Sequence, residues 1–474
     1  MSARTDAIVI GGGAEGLAAA ALLAKAGLKT LLLERDAILY GHSGEAALSA
    51  LDPQTIKALK LTRRGLKFTA RDVSLTVLGA GGATSAIGRD RHAAAKSLGV
   101  LSPADAAAFE PWRRALFALA RALRPLWWGE ASAADAVAAL KPKPRALYER
   151  LRVTSANAWL AKCFESEALR AALAFDAAAA GAAPSEPGSA LALVWHAAQE
   201  MSGAQGAMAI PRGGALGLVG VLSEAAQKAG VEVRTAANVT RIAVTAGAVS
   251  GVQVGGEPIE SALVLSTLSR QRTLGELLPG GEIGIGAARA LARRGERLGT
   301  ATLVYALNRV PEQGFLRGAA ATRFILAERP ESYEAALASV RLGRPAAEPL
   351  LEAILPPPDA AAVDMASRLQ LTVRVWPVTP DTDEKALTAR VTAQIEKQAP
   401  GFAAIVASST VIPAPCEPAT PARLTASARE RIATPVRGLY LCGPDAEPAC
   451  GLAIRAARQA AAFAVAQHKR NGGT

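Results

Sequence analysis

The first thirty-four residues constrain this chain more than any others. Asp6-Ala7-Ile8-Val9-Ile10 is a short apolar run of the length a buried strand takes, and Gly11-Gly12-Gly13-Ala14-Glu15-Gly16 follows with glycines at the three positions of G-x-G-x-x-G. Leu17 to Ala26 then reads as an Ala/Leu-rich helix ending near Gly27, and Leu28 to Leu33 as a second apolar strand with Glu34 at its end and Arg35 beside it. Strand, glycine turn, helix, strand and acid in this order form the unit that binds a dinucleotide. In it Gly11 permits the tight turn, Gly13 lets the backbone approach a pyrophosphate, and Gly16 lets helix and strand pack closely. The helix N-terminus, at Ala14 and Glu15, faces the phosphates. Glu34 is placed to accept hydrogen bonds from a ribose 2′-OH and would repel a 2′-phosphate, which argues against NADP. The unit alone does not separate FAD from NAD.

A length of 474 residues allows two or three domains and a large core. Half of the residues are hydrophobic, and alanine supplies much of that half, so the core is built from many small side chains. No continuous apolar stretch of about 18 residues predicts a membrane-spanning helix, and the N-terminus lacks the features of a secretory signal. A cytoplasmic location follows as the expectation. The four cysteines, Cys163, Cys416, Cys442 and Cys450, show no CxxC or metal spacing and read as reduced core thiols. Cys442 and Cys450 would pack beside the cofactor site. The four histidines are scattered and suggest no metal site. The net charge of +12 would suit an anionic partner. Its lysines and arginines are dispersed and no nucleic-acid motif accompanies them, so no nucleic-acid partner is expected.

Along the chain, Asp52-Pro53 starts a helix, and Leu66 to Phe68 and Val73 to Leu78 read as short strands. Ser102-Pro103 opens a helix on which Phe109, Trp112, Leu116, Leu119 and Leu123 form one apolar stripe. Its arginines lie off the stripe and Trp127-Trp128 follow Pro125. Such a helix either lies on a membrane surface or packs its stripe on the protein's own core, and the core reading is favoured because most amphipathic helices of globular proteins do so. Thr154 to Phe175 is expected to be helical, Ala177 to Pro187 a loop, and Leu191 to Met201 a helix carrying His196. The segments Ile210 to Gly214, Leu216 to Ala229 and Val231 to Thr267 read as a second αβ passage that completes the nucleotide-binding sheet. Ala301 to Leu307 and Leu369 to Trp376 read as strands, Lys385 to Lys397 as a helix, and Pro330 to Pro358 as loops with a short helix. The tail is a strand ending Gly443-Pro444-Asp445, after which Cys450-Gly451-Leu452 opens a last helix from Ala453 to about His468.

The opening GGGAEGLAAAALLAKAGLKTLLLER, the middle PRGGALGLVGVLSEAAQKAGVEVRT and the closing TPVRGLYLCGPDAEPACG resemble, in this order, the phytoene-desaturase-like FAD oxidoreductases. The resemblance is nearest to the branch of the pyridine nucleotide-disulphide oxidoreductase domain 2 proteins, and Phe164 to Asp176 also looks like that branch. It implies an α/β fold: a discontinuous Rossmann-type FAD domain of the glutathione-reductase/amine-oxidase kind with an inserted α+β substrate domain. The FAD domain would take residues 1–70, 206–275 and 430–474. The substrate domain would take 71–205, mainly helical, and 276–429. By the resemblance, Gly11, Gly13 and Gly16 would hold the FAD pyrophosphate, Glu34 the ribose, and Val239 the adenine through its backbone. Gly443 and Asp445 would lie near the pyrophosphate and ribityl chain, and Gly451 and Leu452 near the isoalloxazine.

The chain departs from the family on the flavin side. The glycine pair expected after Glu34 is absent, since Gly41 and Gly44 are separated by two residues, and Glu447-Pro448-Ala449-Cys450-Gly451 replaces the usual His-Pro-Gly-Gly-Gly. Two readings follow. One is an FAD-dependent oxidoreductase or desaturase that takes a hydride from a hydrophobic or lipid-like small molecule, with His196, Tyr440 and Glu447 as candidate catalytic groups and peripheral membrane contact to suit a substrate drawn from lipid. The other is a degenerate paralogue, a structural or regulatory subunit of a complex with an active flavoprotein. Homo-oligomers or hetero-oligomers with a related chain are compatible with both.

Overall fold

Alternate residues of the first strand serve two different packing layers, which is why the run is apolar throughout. Ala7 and Val9 face a layer of alanine-rich helices, whereas Ile8 and Ile10 face a small antiparallel sheet. A strand covered on both faces needs a continuous hydrophobic sequence. In the computed structural model the described residues are all except 1–4, 40–46, 80–81, 202, 294–298, 318–320, 358–368, 380, 415–418, 451–453 and 471–474.

Among the described residues, the sheet around that strand is parallel throughout, in the order Leu439–Leu441, Val264–Ser266, Ala7–Ile10, Thr30–Leu33, Glu232–Arg234. Strands from the start, middle and end of the chain therefore lie side by side in a Rossmann-like unit. The helices Ala14–Lys25, Gly214–Lys228 and Arg455–Arg470 cover one face. Ala18, Ala19, Ala20 and Ala21 are fully buried there, so small side chains let the helices approach closely. On the other face lie Val239–Thr245, Ala248–Val254 and Glu257–Glu260.

A larger sheet runs Val406–Ala414, Gly299–Leu307, Leu369–Val378, Leu350–Ile354, Thr322–Leu326, Ser74–Leu78, Thr84–Ile87. Its neighbours are antiparallel except Thr322–Leu326 and Ser74–Leu78, which run parallel. Helices from residues 91 to 198 pack on it and around Pro103–Trp128. The apolar stripe of that helix, Phe109, Leu116, Leu119 and Leu123, is buried in this core, and so are Trp127 and Trp128. The core-facing reading of the helix therefore holds. Among the described residues no helix is long and apolar enough to cross a membrane.

Four local expectations need correction. The helix expected over Thr154 to Phe175 is two, Ala156–Ala161 and Glu167–Ala179. The break is held by Asp105, whose carboxylate accepts the Glu165 and Ser166 N–H groups at 2.7 and 2.9 Å, while the Ser166 hydroxyl caps the second helix. The helix carrying His196 ends at Ala198, and Glu200–Met201 pairs as a short strand. The proline-rich stretch 330–358 contains a buried central strand, Leu350–Ile354. Cys450 is disulfide-bonded, with its partner outside the described residues, so it is not a reduced thiol. Cys163 and Cys442 are free.

Candidate functional site

The glycine turn sits where the strand order of the parallel sheet reverses, with strands added outward to Glu232–Arg234 on one side and to Leu439–Leu441 on the other. Ligands of open α/β sheets bind at this place, beyond the C-terminal ends of the strands. Gly11 has φ +99°, which glycine adopts without strain. A Cβ at Gly11 would lie 2.0 Å from Thr267 Oγ1, and one at Gly16 would lie 1.8 Å from the Gly11 carbonyl oxygen. Both glycines are therefore required by the fold itself. Gly13 differs: a Cβ there would meet nothing nearer than Glu15 Oε2 at 3.8 Å, so the turn presents an open face above it. Gly13 is the N-cap of this helix and, being glycine, brings no side-chain acceptor to its first turn, so the helix N-terminus lies directly at the open face.

Glu34 closes the other end of this cradle. Its Oε2 accepts the Gly12 N–H at 2.5 Å and its Oε1 the Asp36 N–H at 2.9 Å. A carboxylate has lone pairs beyond these two bonds, which is the acceptor capacity a ribose diol needs. The Glu34 carbonyl accepts the Ala237 N–H at 2.8 Å, bringing the start of the Val239 strand beside it. Val239 itself is buried. Arg35 is exposed and pairs with Asp36 at 3.2 Å, pointing to solvent.

Thr267, at the end of the neighbouring strand, fits between the glycines. Its N–H and its Oγ1 both donate to the Ile10 carbonyl, at 3.0 and 2.9 Å. A Cβ at Gly443 would lie 2.0 Å from the Thr267 carbonyl oxygen, so the tail strand also passes close by. Sequence reading missed Thr267 as a site residue, and the signal available was its place two residues beyond the apolar run Leu263 to Leu265 in the second αβ passage. The Asp445 carboxylate accepts the Arg270 N–H at 2.7 Å and ties these strand ends together. Cys442 is fully buried, and burial, with the Glu15 carboxylate second, pushes its thiol well above the usual range. Gly451, Leu452 and the segment around His42 lie outside the described residues. The residues present fit the adenosine-diphosphate half of FAD: an open backbone cradle, a helix N-terminus and a ribose acid.

The three candidate catalytic groups lie in different surroundings. Tyr440 donates to Gln467 and lines a cavity of about 160 Å³ with Arg429, Arg437 and Arg470. Glu447 is buried and accepts the Ala456 N–H at 2.7 Å, with Arg455 Nη1 3.6 Å away. Arg455 in turn lies 3.9 Å from the Trp128 ring centre and donates to Gln199 at 2.9 Å, so Glu447 belongs to a buried ionic latch at the start of the last helix. His196 lines a cavity of about 120 Å³, walled by Phe109, Trp112, Phe117, Leu173, Leu193 and Met208. Met208 also packs in one apolar cluster with Ala47, Val73, Ile210 and Ile354.

A buried ionic cluster forms the cavity floor. Asp176 Oδ1 lies 3.7 Å from His196 Nε2 and accepts Arg323 Nη2 at 2.6 Å. Arg323 Nη1 donates to Glu352 at 2.9 Å, and Arg374 lies 3.5 Å from the other Glu352 oxygen. Burial alone would raise the Asp176 carboxyl, but the Arg323 guanidinium and then His196 pull it below its ordinary value. Burial lowers His196, against the opposing pull of Asp176, so the imidazole is neutral at neutral pH. Sequence reading saw no acid beside His196. Asp176 comes from the preceding helix, where it is the lone charge in the run Ala171 to Ala183.

Residues 9–54 match the family described as NAD(P)-binding Rossmann-like domain. The chain is 31% identical over 320 residues to the pyridine nucleotide-disulfide oxidoreductase domain-containing protein 2 of Mus musculus, covering 58% of this chain and 55% of that protein. With the Rattus norvegicus counterpart the identity is 32% over 323 residues, with the same coverage. The chain thus spans little more than half the length of the curated relatives it matches. Among solved structures, an oxidoreductase from Methanosarcina mazei superposes with TM-score 0.61 at 17% identity, over 97% of this chain and 99% of that one. Putrescine oxidase bound to putrescine gives 0.62 at 15%, over 99% of both chains. Cyclohexylamine oxidase from Brevibacterium oxydans IH-35A gives 0.56 at 15%, over 99% and 100%. At these identities the likeness is one of fold.

Proposed function

We propose that this chain, whose homologues are the pyridine nucleotide-disulfide oxidoreductase domain-containing protein 2 proteins, is an FAD-dependent oxidoreductase acting on a hydrophobic small molecule. The observation that carries this reading is the cradle itself: an open face at Gly13 at the N-terminus of a helix, with Glu34 poised at the far end. When bound, FAD supplies the hydride acceptor. Gly11, Gly13 and Gly16, with the first-turn N–H groups of Ala14 and Glu15, would hold the pyrophosphate. Glu34 would hold the ribose, and the backbone near Val239 would border the adenine. The aromatic-walled cavity would receive the substrate, its apolar wall excluding water. His196, neutral on that cavity's floor, is the group placed to hold a proton at Nε2.

The altered flavin-side segments motivate the competing flavinless-subunit reading, so the test is direct. The purified chain is examined by absorbance before and after incubation with FAD. A visible flavin band in proportion to protein is expected. A chain that stays colourless with added FAD would overturn the oxidoreductase reading in favour of a structural subunit.

A further inference from the structure

The charges around the aromatic-walled cavity discriminate among ligands more finely than its apolar lining does. Arg113 stands on the wall, half-buried, its guanidinium 5.3 Å from the Phe117 ring centre and 5.9 Å from that of Phe109. Its Nη1 donates to the Gly88 carbonyl at 2.9 Å, and it makes no ion pair among the described residues. The nearest acid on its own helix, Glu110, is engaged by Arg91 at 2.8 Å and Arg114 at 3.1 Å. Arg89 stands exposed at the rim, also without an ion pair among the described residues.

A cationic amine would find poor reception here. Asp176, the carboxylate on the floor, is already bound by Arg323, and Glu352 lies behind it between Arg323 and Arg374. Asp72 remains, exposed at the rim among Arg89 and Arg113. The unspent groups are donors and positive charges, and they ask for an acceptor oxygen that carries negative charge. Burial, only partly opposed by Glu110 and Asp72, depresses Arg113, and a bound anion would offset that cost. Size narrows the choice further. The cavity, about 120 Å³, is close in size to the engineered apolar cavity of about 150 Å³ that takes up benzene, so its apolar part holds at most one ring and a charged head would lie towards the exposed rim at Asp72 and Arg89.

We propose that this cavity binds a compact anion, with an apolar body about the size of one aromatic ring and a carboxylate-type head received by Arg113. This step rests on reading the cavity as the substrate site, and it sets the substrate class apart from the amines in the names of the two oxidases that share the fold.

The test is calorimetric titration of the purified full chain with phenylacetate, 2-phenylethanol and 2-phenylethylamine, three probes with one apolar body and different charge. Phenylacetate is expected to bind at least about tenfold tighter than either of the others, in keeping with the strength of charge-assisted hydrogen bonds. R113Q is expected to bring phenylacetate down to the level of the alcohol. An amine that binds as tightly as the carboxylate, no binding of any probe, or a folded R113Q with undiminished phenylacetate binding would overturn the proposal. The comparison of the three probes on the unaltered chain decides the matter even where R113Q does not fold. Flavin content is read separately by absorbance. A colourless chain that still prefers phenylacetate would overturn the oxidoreductase reading and support the anion site.

Discussion

Valine at Gly13 should abolish cofactor binding while leaving the fold standing. Gly13 is the glycine of the turn whose added Cβ meets open space, with Glu15 Oε2 at 3.8 Å as its nearest neighbour. Its φ of −70° suits any residue, so the backbone is not strained by a side chain. The folding cost is that of a poorer helix N-cap, about 1 kcal/mol. The binding cost is larger, because the added methyl groups occupy the space into which the pyrophosphate must come. Losing two backbone N–H bonds to a charged phosphate, at about 1.5–3 kcal/mol each, removes about 3–6 kcal/mol. At 1.4 kcal/mol per factor of ten, that weakens binding by about 10²- to 10⁴-fold. G13V and the unaltered chain would be purified in parallel, with thermal unfolding followed by circular dichroism and FAD affinity by calorimetry. A variant that melts near the unaltered chain and fails to bind FAD supports the cradle. A folded G13V that binds FAD with unchanged affinity would refute the reasoning.

Alanine at Gly16 places a Cβ 1.8 Å from the Gly11 carbonyl oxygen, so G16A should lose about 1–3 kcal/mol of stability to overpacking, read as a clear fall in the melting temperature. T267V keeps the shape that fills the space between the glycines but removes the Oγ1 bond to the Ile10 carbonyl, and denaturant titration should show a loss of about 1 kcal/mol. E352A strips the buried Arg323 and Arg374 of a counter-charge and should cost about 3–5 kcal/mol by the same measurement. His196 has its pKa lowered from 6.5 by burial, so below pH 6.5 the unfolded chain takes up a proton that the folded imidazole resists. Its contribution to stability is present above that pH and lost as the pH falls towards the depressed folded value. H196N should flatten the acid side of a stability-against-pH profile.

Much of the nucleotide-binding half was legible because its signals are local. A turn that needs a positive φ at Gly11 and helix–strand contact at Gly16 writes itself as glycines at fixed spacing, and a strand covered on both faces writes itself as an unbroken apolar run. The stripe on Pro103–Trp128 announced a helix for the same reason, and its arginines left open what the stripe faced until the buried core of residues 75–198 was seen. What sequence did not reveal depends on contacts between distant segments. Leu350–Ile354 looked like part of a loop because prolines surround it, and the Arg323 and Arg374 that neutralise its buried Glu352 come from other strands. The interruption after Ala161 depends on Asp105, some sixty residues earlier, which takes the Glu165 and Ser166 N–H groups. His196 seemed to lack an acidic partner because Asp176 reaches it across a loop from a neighbouring helix. The disulfide at Cys450 left no trace in spacing, since cysteine pairs are joined by proximity in space.

The central claim is that the cradle formed by Gly11 to Gly16 and Glu34 holds FAD. Its most direct test is to denature the purified chain, after saturation with a mixture of FAD, FMN, NAD and NADP and removal of unbound nucleotide, and to identify what is released by mass spectrometry. The account predicts FAD, in an amount close to one per chain. Release of NAD, NADP or FMN in its place, or of no nucleotide at all, would contradict it.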